Sequence, residues 1–306
     1  MMMSGSKALE TYETKGGGAL SPSDRRKIMK KKVLAAILCG VMVMAMFTAC
    51  GSKDDKQAST TGSASGSNAE KKTFTLGFDA AFPPYGYQDE SGEYVGFDLD
   101  LAAEVCKRNG WELVKQPVDW DSKDMELNSG AIDCIWNGFT MSEDRIDTYE
   151  WTEPYVDNSQ VFVVKADSGI KTKADLKGKN VLVQADSSAL EALKNKDNKA
   201  LKDSFANLDE VPEYNTAFLN LEAGSGDAIA MDIGVAKYQI EKRGADKFVM
   251  LEEKLATEQY GIGFKLGNKE LRDRVQKTLK EMVKDGKFAE IAAKWKLTDA
   301  VCLKAE

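Results

Sequence analysis

"AIDCIWNGFTMSEDR", residues 131–145, changes character halfway along. Residues 131–136 are a short apolar run, the pattern of a strand buried in a sheet. At Asn137-Gly138-Phe139-Thr140 the chain turns small and polar, and soon after stands a lone cation, Arg145. A strand ending this way at a cleft edge offers backbone N–H groups around Gly138 and a hydroxyl on Thr140. Arginine adds a planar fork that meets a carboxylate with two parallel bonds. The stretch reads as an anion clamp, although most arginines are solvated surface residues, so its surroundings in the chain must decide.

Working outward, short apolar runs alternate with helical periodicity. Upstream, residues 74–78 and 112–118 read as strands. Asp98 is placed to cap a helix whose Leu101, Ala102 and Val105 share a face, and a short helix is expected near residues 123–128. Downstream, residues 160–165 read as a strand. After a polar connector a new strand, 180–184, runs into a helix capped by Ser187 or Ser188. Residues 228–231 form a strand ending at Asp232, a helix follows to Arg243, and another strand is expected over 260–264. Two last helices carry Leu271, Val275, Leu279 and Met282, then Phe288, Ile291 and Trp295, at helical spacing. This alternation predicts an α/β fold with a mostly parallel sheet.

The polar connector after residue 165 marks a second domain with its own β-α-β alternation. If the final helices pack back on the first domain, the chain crosses between lobes twice and makes a hinge, with a ligand cleft between. The expected division is 73–164 with 261–306 as lobe 1 and 165–260 as lobe 2.

The first 49 residues are set apart. Lys30-Lys31-Lys32 precedes an apolar run over residues 33–47 and then Thr48-Ala49-Cys50, which reads as a basic region, a hydrophobic region and a small-residue cleavage site. The run is short for a membrane span. "FTAC" resembles the lipobox of bacterial lipoproteins, with Phe47 where Leu is usual, and implies a lipid on Cys50 that tethers the chain to the outer face of the cell membrane. Met29 reads better as the true start than Met1. Residues 50–72, rich in Gly, Ser, Thr and charge, read as a flexible linker.

Removing residues 1–49 takes Lys and Arg from 42 to 34 and Asp and Glu from 49 to 46, a formal charge of −12. That makes nucleic acid a poor partner. With no histidine anywhere and no CxxC, a zinc site and histidine-based catalysis are not expected, and neither a metal nor a cofactor is called for. Cys106, Cys134 and Cys302 allow one disulfide at most, and Cys134 reads as a small core residue.

Asp79 and Asp232 mark further strand ends, each as apt to cap a helix or order a loop as to meet a ligand. Phe82 and Trp120 stand in loops beside them. With these in place, "LGFDAAFPPYGYQDESGEYVGFDLDLAAEVCKR", "DCIWNGFTMSEDR", "VLVQADSSALEAL", "GDAIAMD", "YGIGF" and "DGKFAEIAAKWK" together resemble the family 3 solute-binding proteins of polar amino acid ABC transporters. The resemblance runs from residue 73 to about 297. It implies a two-lobed periplasmic-binding-protein-like fold of type II that closes on a free amino acid and delivers it to ABC transporter permease subunits, acting as a monomer without catalysis.

Carried over position by position, the resemblance puts the ligand's α-carboxylate on Arg145, Thr140 and Ser188, the last opening a helix whose N-terminus favours an anion. The α-ammonium falls on Asp232 near Asn137 and Gly138. Phe82 and Trp120 sandwich the side chain, Asp79 touches its far end, and Gln184 varies with specificity. Asp186 departs from the family's usual Gly, which adds negative charge, and Leu113 removes a bridge to Cys106 that some relatives have.

Arg145 then answers the α-carboxylate and Asp232 the α-ammonium, leaving Asp79 unpaired. A cationic side chain completes the site and stacks on the aromatics, so arginine or lysine is expected ahead of glutamine. A dehydratase or a sensor domain on the same fold are the rivals. The first needs a spare acid or base, for which Asp79 is the candidate. The second needs a membrane helix and a signalling domain, and the expectation is against both.

Overall fold

The structure, a computed structural model, describes residues 72–306. The expected leader, Cys50 and most of the expected linker lie outside the described residues.

β1 (Thr73–Phe78) buries Phe74, Leu76 and Phe78 completely. It leads into a small antiparallel sheet of β2 (Ala81–Phe82), β3 (Gly86–Gln88) and β4 (Tyr94–Val95), strands too short to carry periodicity in the sequence. α1 (Phe97–Asn109) ends at Gly110, which at φ 67° turns its N–H onto the carbonyls of Cys106 and Lys107. Its Phe97, Leu101, Ala102 and Val105 are buried, the larger ones each stabilising the fold by about 1.5–3 kcal/mol. β5 (Glu112–Pro117) and, beyond α2 (Lys123–Ser129), the fully buried β6 (Cys134–Thr140) both lie parallel to β1. Cys134 is buried within β6, a core residue as expected.

After β7 (Tyr149–Trp151) comes the long β8 (Val156–Lys165). The second β-α-β series is β9 (Asn180–Gln184), α3 (Ser188–Lys194), α4 (Lys199–Lys202), β10 (Asn207–Val211), α5 (Tyr214–Ala223), β11 (Ala228–Asp232), α6 (Ile233–Arg243) and β12 (Phe248–Met250). β13 (Ala256–Lys265), α7 (Lys269–Lys284) and α8 (Lys287–Lys294) follow. Paired strands run in the order β10-β9-β11-β8-β13-β6-β1-β5, with β12 beside β8 and β7 beside β13. The fold is α/β and two-lobed.

α7 and α8 return to α1: Asn109 Nδ2 donates to Thr278 Oγ1 at 2.9 Å and Trp295 Nε1 to Asp100 Oδ2 at 2.8 Å. The chain therefore passes between the lobes on two strands. Residues 156–160 of β8 pair antiparallel with residues 256–260 of β13, while Val161–Val164 pair with β11 and Gly261–Phe264 with β6 and β7. We propose the paired segments 156–160 and 256–260 as the hinge. The expected boundary after residue 164 lies at the far end of β8, beyond residues that already pair with β11.

Two local features aim the end of β6. Between Ile135, opposite Gly263, and Phe139, opposite Gly261, β6 carries Trp136, Asn137 and Gly138 against Ile262 alone. This bulge bends the strand where the clamp begins. Gly138 sits at φ 58°, and a Cβ there would stand 2.9 Å from Phe82 and 3.0 Å from Tyr260, so only glycine fits. Asp98, expected as a helix cap, is not one. Gly96 holds the N-cap position, and the fully buried Asp98 accepts from Gly138 N–H at 2.7 Å and from the Tyr155 hydroxyl at 2.9 Å. Burial pushes its carboxyl up to about 7.

Candidate functional site

The end of β6, the turn after it, the start of α3 and the two hinge segments converge on one polar patch. Arg145 is buried in that turn; its Nη2 donates to the Asp186 carbonyl at 3.0 Å and pairs with Glu191, and its guanidinium lies 5.2 Å from the Phe139 ring centre. The Trp151 indole donates to the Arg145 carbonyl at 3.2 Å and so fixes the turn. Ser187 caps α3 through a bond from Leu190 N–H at 3.2 Å, which leaves the Ser188 hydroxyl facing the patch. There Thr140 Oγ1 lies 3.1 Å from Ser188 Oγ. Three of the residues expected at a carboxylate are thus brought together across the two lobes.

Gly138 was expected to offer its N–H to a ligand. Asp98 takes that N–H instead, so this contact is withdrawn. Asn137 is buried with its Oδ1 accepting from Asp79 N–H at 3.1 Å.

Asp232 stands at the N-cap of α6, yet its side chain makes no capping bond. It turns to the hinge, where its Oδ1 accepts from Asn158 Nδ2 at 2.7 Å, Gln160 Nε2 at 2.7 Å and the Tyr260 hydroxyl at 2.6 Å. Burial, then the charge of Glu258 nearby, pushes its carboxyl up to about 7. Glu258, from β13, was not singled out in the sequence. Its Oε1 lies 2.8 Å from Thr140 Oγ1, 3.2 Å from Ser188 Oγ and 2.7 Å from both Asn158 Nδ2 and Gln160 Nε2.

At the other end of the cleft Asp79 is buried. Its Oδ1 accepts from Ala81 N–H at 2.8 Å, a loop-ordering bond, while Oδ2 accepts from Gln184 Nε2 across the lobes at 2.7 Å. Burial outweighs these bonds, and Glu213 and Asp119 add to it, so the carboxyl is pushed up to about 6. Trp120 meets Phe139 edge-on at 5.6 Å, and Phe82 packs against Tyr85 at 5.8 Å and Tyr214 at 6.0 Å.

Asp186, at the family's usual glycine, holds the left-handed conformation at φ 54° and forms an ion pair with the buried Lys123 of the other lobe. Its added charge is therefore answered. Lys123 also lies 5.0 Å from the Trp120 ring centre.

The residues missed were Glu258, Asn158, Gln160, Glu191 and Lys123. The first three leave only a compositional signal: residues 157–160 and 257–259 are unbroken polar runs, without the alternation that marks a strand with one buried face. No cluster of histidine, cysteine and acids suited to a metal is present among the described residues.

Residues 74–298 match the family model of bacterial extracellular solute-binding proteins, family 3. The chain belongs to this family. It is 30% identical over 228 residues to the L-cystine-binding protein TcyJ of Escherichia coli, covering 74% of this chain and 83% of TcyJ. To the arginine-binding extracellular protein ArtP of Bacillus subtilis it is 29% identical, covering 87% and 98%. A solved ABC uptake transporter substrate-binding protein from Streptococcus pneumoniae with bound histidine superposes at a TM-score of 0.71 with 34% identity, covering 73% of this chain and 92% of that one. Its relatives are amino acid-binding components of ABC importers, and the family is extracytoplasmic. No helix among the described residues is long and apolar enough to cross a membrane.

Proposed function

We propose that this protein captures a basic amino acid, arginine or lysine, between its lobes and delivers it to the permease subunits of an ABC importer. The observation that carries the reading is the pocket beside Asp79, a cavity of about 320 Å³ whose charged lining is Asp79, Asp119, Asp121 and Glu213, with Trp120 as its aromatic wall and no lysine or arginine. A cation fits such a field and an anion does not. Lys123, 5.0 Å from the Trp120 ring centre, is already paired with Asp186. In this reading Arg145, Thr140 and Ser188 take the α-carboxylate, Asp232 the α-ammonium with Asn137 beside it, and Phe82 and Trp120 flank the side chain. The arginine-binding relative supports the same side chain class. In this reading the protein binds without turnover, in keeping with relatives that are named as binding proteins.

One observation favours a second reading, glutamine. Asp79 Oδ2 now accepts from an amide NH₂ group, that of Gln184, and a ligand amide would offer the same donor. Melting the purified mature chain with each common amino acid at equal concentration separates the two. A ligand that binds only the folded state raises the melting temperature, by about 2.7 kcal/mol of stabilisation at a hundredfold excess over Kd. Arginine or lysine is expected to give the largest rise, and a larger rise with glutamine, histidine or cystine overturns the basic reading.

The anchor completes the proposal: Cys50 carries a lipid that holds the receptor at the membrane. In cell fractionation the wild-type protein is expected in the membrane pellet and Cys50→Ser in the soluble fraction or as uncleaved precursor. Wild-type protein without added lipid mass on Cys50 rules the anchor out.

A further inference from the structure

We propose that Glu258 is a second acidic residue for the ligand's α-ammonium, forming with Asp232 a two-carboxylate seat where the hinge meets lobe 2. Asn158 Nδ2 and Gln160 Nε2 each reach both acids at 2.7 Å, so the two carboxylates stand against the same pair of donors. Both amide nitrogens are thereby committed to the acids. The opposite atoms, Asn158 Oδ1 and Gln160 Oε1, are buried without a hydrogen-bond partner, a costly arrangement that an ordinary hinge does not need.

The groups facing the pair are Tyr260 from β13, Tyr214 from α5, the amides of β8, Tyr85, and the hydroxyls of Thr140 from β6 and Ser188 from α3. Among the described residues no lysine or arginine pairs with either acid. Each carboxylate keeps one oxygen outside the shared donor set: Asp232 Oδ2 has the Tyr214 hydroxyl at 3.4 Å, and on Glu258 the amides bond Oε1 and not Oε2. Two like charges held this close, one of them buried, are stabilised by a cation between them. An ammonium group, with three donors, is the cation this cleft meets whenever an α-amino acid enters. The inference rests on the amino acid class of the ligand and not on its side chain.

The variant is Glu258→Gln, which keeps size and shape. The amino acid giving wild type its largest thermal shift is titrated by calorimetry into both proteins, together with its desamino analogue. The seat predicts a loss of about 10- to 100-fold for the amino acid and a change under about threefold for the desamino analogue. It also predicts an unliganded melting temperature that does not fall, since repulsion with Asp232 is removed.

A pH series adds a second readout. Asp232 must be ionised to hold the ammonium, and its carboxyl, raised to about 7, takes up a proton as pH falls through that value. Wild type therefore loses affinity between pH 8 and 6, and Glu258→Gln, lacking the neighbouring charge, loses less. Unchanged or tighter binding of the amino acid overturns the proposal and makes Glu258 a competitor for the hydroxyls of Thr140 and Ser188. Equal losses for both ligands overturn it in favour of a structural role. If a neutral amino acid wins the thermal panel, only the basic side chain reading falls. If none shifts wild type, the amino acid reading and the seat fall together.

Discussion

Arg145→Ala weakens binding of the cognate amino acid by about 3–5 kcal/mol, roughly a hundredfold to several thousandfold. The size follows from burial. A ligand carboxylate drawn from water into the patch between Thr140 and Ser188 is stabilised only if a cation meets it there, and Arg145 is the arginine the fold holds at that place through the Asp186 carbonyl, the Phe139 ring and Glu191. Glu191 is a weak rival for the guanidinium: burial raises its carboxyl pKa even though Arg145 opposes the rise. A ligand carboxylate that also gains two hydroxyls displaces it. Calorimetric titration measures the loss directly. Affinity within a few-fold of wild type would mean that Arg145 serves only to tie the turn after β6 to α3.

The elements that build the core were the legible ones. Residues 134–136, 181–183 and 228–231 carry unbroken apolar runs because both faces of β6, β9 and β11 are buried there, and that burial writes itself into composition. The hinge halves of β8 and β13 were not read as strands. Residues 156–159 and 256–259 are mostly polar, since they pair with each other between the lobes and turn Asn158 and Glu258 into the cleft instead of a core. Edge strand β10 escaped for a related reason, with little of it buried.

The site shows the same division. Asp79 and Thr140 could be singled out because each stands at the end of a readable strand, and Arg145 because it follows one closely, while the roles of Ser188 and Gln184 came from the family resemblance. Glu258 sits inside an unreadable strand, and its neighbourhood with Asp232 depends on a pairing that local sequence does not contain. Asp98 failed differently. Its position at a helix start invites the capping role, while the bond it makes reaches a glycine on another strand, a distance in sequence no local rule spans.

The central claim is that a positive charge on the ligand side chain meets Asp79. The carboxylate is buried among acids, with neutral donors on both oxygens and no basic partner, so a guanidinium or ammonium gains a charge-assisted bond about twice as strong as a neutral one. The charge must be present to act. With a carboxyl raised to about 6, Asp79 is ionised at neutral pH and protonates as pH falls through that value, so the advantage of a cationic ligand shrinks in acid. Asp79→Asn keeps the shape and one accepting oxygen while removing the charge.

The decisive measurement is calorimetric titration of wild type and Asp79→Asn at pH 7.5 with arginine and with citrulline, its neutral isostere. The account predicts that wild type prefers arginine by about 1–3 kcal/mol, roughly tenfold to a hundredfold, and that the substitution brings the two ligands within about threefold of each other. A wild type that binds citrulline as tightly as arginine, or a substitution that weakens both alike, contradicts it and leaves Asp79 as a residue that orders the loop at Ala81.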